Sequence, residues 1–214
     1  VGNMARGRKI NSNGERSKQL LLNKAVDLFS EKGYHDTKIS DIVKAANLTQ
    51  PTFYLYFKSK QSLYNDLNKS FQKGFTEIMT INSEYSDEIV RGIEGFIKTL
   101  EQKLCLLFVY IIENPKLTKI GLFESEQSYQ IKSQLSQQFI HLIYRHDCER
   151  FFQLIEVDVK TLADSLVGSF ERLIFTNLLE QKRKPSELAE DLVKLYFIRN
   201  DKYDMIQRQF QLEN

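Results

Sequence analysis

Residues 38–60 constrain most strongly what this chain can fold into. Ile39, Ile42, Val43 and Ala46 recur at helical spacing and make one apolar face. Asn47 follows, and Asn enters the left-handed region at low cost, so it can end a helix. Thr49 then stands where an N-cap is needed. Pro51 falls in the first turn of a second short helix, where a backbone N–H has no intrahelical acceptor. Phe53 and Phe57 share the inner face of that helix. Gln50, Thr52, Tyr54 and Tyr56 are left outward, with Lys58 and Lys60 close behind. Two short helices joined by a tight turn, with amides, hydroxyls and ammonium groups outward, suit the major groove of DNA. An ordinary helical hairpin with a solvated outer face carries the same pattern.

The remaining periodicity is helical. A helix is expected over 17–32, with Leu22, Ala25, Val26 and Phe29 inward and Gly33 as its stop. Before it, Arg6, Arg8 and Lys9 lie in a Gly- and Asn-rich arm, a solvated tail or a reach toward phosphates. Thr37 sits where the next helix begins; its hydroxyl can cap that helix, and the free N–H groups there can bind a phosphate. Ser59 caps a helix to about Thr80 with Leu63, Leu67, Phe71, Phe75 and Ile78 inward. Ser86 caps a long apolar helix that ends at Asn114, and Pro115 opens the next. Further helices are expected from about Glu126 to Arg145, from the Asp158 cap to about Leu178, and from Pro185 onward. The polar tail from Asn200 carries Tyr203, Ile206 and Phe210 and can dock as a short helix. All 3 prolines fall at expected helix starts, and no alternating apolar run marks a strand. The fold class is therefore all-α, with about nine helices.

Charge is distributed unevenly. Residues 1–60 carry 11 Lys and Arg against 5 Asp and Glu, net +6, and the rest carry 19 against 23, net −4. A basic N-terminal unit on an acidic body fits a polyanion held at one end. Apolar runs fall far short of the roughly 18 residues that span a bilayer, and no signal-peptide pattern is present, so a cytoplasmic location is expected and no membrane partner. Cys105 and Cys148 read as free thiols. No Gly-rich phosphate loop, Cys-x-x-Cys or His-Glu-x-x-His motif is present, so no catalytic residues, no metal ligands and no cofactor are assigned. His141, His146 and Cys148 make only a loose cluster, better read as packing.

Gly33-Tyr34, Thr37, Ile39, Asp41-Ile42, Ala45-Ala46, Leu48-Thr49, Thr52-Phe53-Tyr54, Tyr56-Phe57, Ser59-Lys60 and Leu63 together resemble the N-terminal domain of the TetR family of bacterial transcriptional repressors. Two positions depart from the family pattern: Asn47, where Gly is usual, and Pro51, where Gly or a small residue is common. The resemblance implies a flexible basic arm over 1–16, a three-helix helix-turn-helix DNA-binding domain over 17–62, and a helical ligand-binding and dimerisation domain over 63–214. It implies phosphate contacts from Thr37, Tyr54, Tyr56 and Lys60 and base-edge contacts from Lys38, Gln50 and Thr52, with Thr49 and Pro51 placing the helix start. The helix from Ser59 would couple ligand binding to the separation of two reading heads. The body is rich in aromatics, and the family's small-molecule pockets suggest Phe96, Phe108, Tyr110, Phe123, Tyr129, Phe139 and Phe170 for a hydrophobic or amphipathic effector; a filled core accounts for the same residues. The last two long helices would form a homodimer through Leu166, Phe170, Leu173, Leu178, Leu188, Leu192 and Leu195. The implied function is a dimeric repressor released from a palindromic DNA operator by that effector. Two alternatives stand beside it: a DNA binder with no inducer, and a helical protein-interaction module whose helix-turn-helix is only scaffold.

Overall fold

The computed structural model describes residues 10–81, 92–154 and 156–197. The expected arm residues Arg6, Arg8 and Lys9, the Ser86 cap and the tail from Asn200 lie outside these. The described chain is all-α, with no strand among the described residues. Its helices are α1 (Ile10–Asp36), α2 (Ile39–Ala45), α3 (Gln50–Tyr56), α4 (Lys60–Ile81), α5 (Gly92–Glu113), α6 (Pro115–Thr118), α7 (Ser128–Arg145), α8 (Glu149–Leu154), α9 (Val159–Leu173) and α10 (Pro185–Phe197). π-Helical turns continue α6 over Lys119–Glu124 and α9 over Ile174–Leu178. Pro51, Pro115 and Pro185 all sit in first helical turns, where their missing N–H is harmless. No described helix is long and apolar enough to cross a membrane.

The chain divides into two units, and the division differs from the expected one near residue 62. The first comprises Val1–Gly74 together with Asn114–Ile131. Its α1 begins at Ile10, earlier than the expected start at 17, and breaks at Gly33, whose φ of 83° and ψ of 164° leave the helical region. The core of this unit joins Leu21, Ala25 and Phe29 of α1 to Ile42, Val43, Phe53, Phe57, Leu63 and Leu67. Ile120, fully buried, belongs to the same core. Lys116 binds Asp27 at 2.7 Å and Lys119 donates to the Ser30 carbonyl at 2.7 Å, so residues 114–131 are tied to α1 by charge as well as by apolar contact. Gly121 is needed here because a Cβ would stand 2.4 Å from the Phe71 ring.

The second unit comprises Phe75–Glu113 and Lys132–Asn214. Phe96, Leu100, Leu104, Leu107, Phe108 and Ile111 form the buried stripe of α5. It packs against α10 and the π-helical continuation of α9, and Phe139, Leu166, Phe170, Leu188 and Leu192 are buried in the same unit. Phe108 and Phe170 stack at 4.8 Å. Asp158 caps α9 by accepting from the Thr161 N–H at 2.8 Å. Both cysteines are free thiols, and burial pushes the Cys148 thiol up to about 11.

Candidate nucleic-acid interface

Local chemistry sets the geometry of α2 and α3. Lys38 begins α2, and its N–H donates to Asp41 Oδ2 at 3.1 Å, satisfying one group of an open helix start. The helix ends where Asn47 takes φ 53°, and the Leu48 N–H then reaches back to the Val43 carbonyl at 2.8 Å. Thr49 caps α3: its hydroxyl accepts from the Thr52 N–H at 3.4 Å and lies 2.9 Å from the Thr52 hydroxyl. Phe53 and Phe57 are buried, ring centroids 5.5 Å apart, and fix α3 by its inner face. The outer face is thereby held rigidly while remaining open to solvent.

Gln50, Pro51 and Tyr54 are exposed on α3, as are Thr49 before it and Lys38 at the start of α2. Thr52 and Tyr56 are half-buried. These residues share one open surface. Two expected phosphate contacts do not belong to it. Thr37 is fully buried, and its hydroxyl donates to the Gly33 carbonyl at 2.8 Å, closing the end of α1 instead of capping α2. Lys60 turns its ammonium onto the carbonyls of Tyr34 at 2.6 Å and Thr37 at 2.8 Å, and lies 4.2 Å from the Tyr34 ring. Unpaired carbonyls at a helix end attract a cation, and an aromatic face adds to that attraction. The lysines left outward are Lys38, Lys44 and Lys58. Leu55, 77% exposed beside Tyr54, completes the face with an apolar group of the kind that meets a thymine methyl. Lys44 and Leu55 were absent from the expected site, although each follows an inward residue by one or two helical positions.

The expected effector-pocket residues are divided between the two units. Phe123 and Tyr129 fall in the first unit, Tyr129 78% exposed, whereas Phe96, Phe108, Tyr110, Phe139 and Phe170 fall in the second. Those four phenylalanines are fully buried, and burial pushes Tyr110 up to about 12, with Glu77 adding to the shift. Lys103 of α5 is also buried and donates to the Met79 carbonyl. Of the expected dimer residues, Leu166, Phe170, Leu178, Leu188 and Leu192 are buried within their own chain, where they fill its core. Leu173 is half-buried, and Leu195 alone of that set is open. Their helical stripe is the same whether it faces a core or a second chain, which is why periodicity could not separate the two.

Residues 21–67 match the family described as "Bacterial regulatory proteins, tetR family". The chain is 33% identical over 190 residues to the Bacillus subtilis protein named "Uncharacterized HTH-type transcriptional regulator YdgC", covering 87% of this chain and 93% of that one. It is 31% identical over 103 residues to the Staphylococcus aureus "Biofilm operon icaADBC HTH-type negative transcriptional regulator IcaR", covering 46% of this chain and 55% of that one. A TetR-like transcriptional regulator from Rhodococcus sp. RHA1 shares the fold, with a TM-score of 0.67 at 20% identity over 84% of this chain and 93% of that one.

Proposed function

This chain belongs to the TetR family of bacterial regulatory proteins and is a DNA-binding transcriptional regulator, and from that premise we propose that it is a dimeric repressor released from a palindromic operator by a small hydrophobic or amphipathic ligand. The observation that carries the reading is the outer face of α3, polar and open above two buried phenylalanines. In this proposal Gln50 and Lys38 meet base edges and Thr52 offers its methyl group. Tyr54, Tyr56 and Lys58 meet phosphates, while Thr49 and Pro51 set the helix start. A negative regulator among the relatives supports repression over activation. The site of action would be the bacterial cytoplasm, where the operator lies.

One head reads only a half-site, so a two-fold dimer is the economical reader of a palindrome. The outward edge of α9, its π-helical continuation and α10 supports a dimer face. Phe175 is 56% exposed and Leu195 79% exposed, and nothing stands within 4 Å of a Cβ built on Gly168. The effector would enter among the buried aromatics of the second unit. It would act by binding more tightly to a conformer whose two heads no longer match the half-sites.

Selection of binding sites from a random duplex pool at near-physiological salt tests the reading. Enrichment of one palindrome, with half-sites about one helical turn apart or a multiple of it, is expected. That operator then reports on candidate ligands by release. Recovery of no motif, with binding lost as salt rises, would overturn sequence-specific repression.

A further inference from the structure

The first unit holds a cleft that the DNA-reading face does not use. Its volume is about 360 Å³, and it lies between the end of α1, the first two turns of α4 and the turn 124–127. Its floor is an amide. Asn68 is 1% exposed; its Nδ2 donates to Ser125 Oγ at 2.9 Å, and its Oδ1 has no hydrogen-bond partner. Ser125 Oγ also accepts from the Gln127 N–H at 3.0 Å. A buried acceptor left without a donor destabilises the fold, and a bound donor would relieve it.

The other groups of the cleft point to the same kind of ligand. Tyr34 and Tyr64 form an aromatic wall, ring centroids 4.7 Å apart. Two donors along the wall are already engaged: the Tyr34 hydroxyl donates to Gln61 Oε1 at 2.7 Å, and Gln61 Nε2 donates to Asn65 Oδ1 at 3.0 Å. The mouth is acidic. Glu124 is matched by Lys119 at 3.5 Å, whereas Glu126 is exposed and has no ion-pair partner among the described residues. Burial raises the Tyr34 hydroxyl pKa, and the Glu126 charge raises it further. An anionic ligand would meet the acidic mouth; a cation carrying N–H groups meets a spare acceptor and an unmatched charge.

We propose that this cleft binds a small primary ammonium ligand, its N–H groups donating to Asn68 Oδ1, its carbon chain passing the edges of Tyr34 and Tyr64, and its charge answered by Glu126. The site is additional to an effector site in the second unit and does not depend on one. The test uses the full chain without DNA, titrated with putrescine and followed by backbone amide NMR. Saturable shifts confined to residues 33–35, 61–68 and 124–127 are expected. Tetramethylammonium, which carries the charge but no N–H, should leave those signals in place. Glu126→Gln lies on the surface and should weaken putrescine binding about threefold, the scale of one exposed charge pair. Asn68→Asp, which offers only acceptors and adds a charge, should tighten it. The proposal is overturned by the absence of saturable shifts, by equal binding of tetramethylammonium, or by unchanged affinity in Glu126→Gln.

Discussion

Lys58 and Lys60 stand two positions apart, yet they have different tasks. Lys58 is exposed, while Lys60 closes the end of α1 by donating to the Tyr34 and Thr37 carbonyls. Lys58→Ala should therefore weaken binding about equally across DNA sequences and reduce the salt slope by about 1, measured by titrations at several salt concentrations. Lys60→Ala should instead lower the unfolding free energy by about 1–3 kcal/mol, seen as a shifted urea midpoint, because it strips partly buried carbonyls of their donor. Gln50→Ala should leave stability alone and relax base choice at one operator position, a loss of about 1–3 kcal/mol of discrimination. The sequence makes the outward position of Gln50 plain, because Phe53 and Phe57 fix the inner face locally. It does not reveal the role of Lys60, since that depends on carbonyls from a different helix, brought close only by folding.

At the scale of elements, the helix ends follow from short-range chemistry and were legible for that reason. Thr49, Asn47, Asp158 and the three prolines each act within a few residues of their own position. Thr49→Ala should cost about 1 kcal/mol, as a lost N-cap usually does, and should also blunt operator binding because α3 begins less firmly. The π-helical turn after α6 was not legible, since nothing in its local pattern separates it from an α-helical one. Its requirement is the close approach of Gly121 to Phe71, a contact between distant parts of the chain. Gly121→Ala should destabilise the first unit by about 1–3 kcal/mol through overpacking, read as a lowered Tm. The ion pair that ties α6 to α1 gives a pH signature. The hydrogen bond from Lys116 holds Asp27 below its ordinary 3.8. The stability it lends is present above that ordinary value and is lost as pH falls through the depressed one. Asp27→Asn should accordingly flatten part of the acid limb of a stability–pH curve while leaving its shape near neutrality.

For the whole molecule, the proposed dimer face rests on exposed side chains and not on the leucines that the family resemblance implied. Phe175→Glu combined with Leu195→Glu should yield monomers by light scattering. Operator affinity should fall steeply, since each head then binds a half-site alone. The first unit extends beyond the boundary expected near residue 62 for a related reason. Residues 114–131 follow a long intervening segment, and no local feature announces that Ile120 will enter a core built by α1 to α4. Truncating that side chain, Ile120→Ala, should cost about 2–5 kcal/mol, measured by chemical unfolding.

A head assembled from two separated stretches also has an order of manufacture. The ribosome delivers α1 to α4 first, but the core they enclose stays open on one side until Ile120 has been synthesised. Grafting this head onto another body by cutting after Gly74 would transplant an unfinished object. A working chimera has to carry Asn114–Ile131 along with it, so the unit that evolution or an engineer can exchange is larger than the helix-turn-helix and is not one continuous piece of sequence.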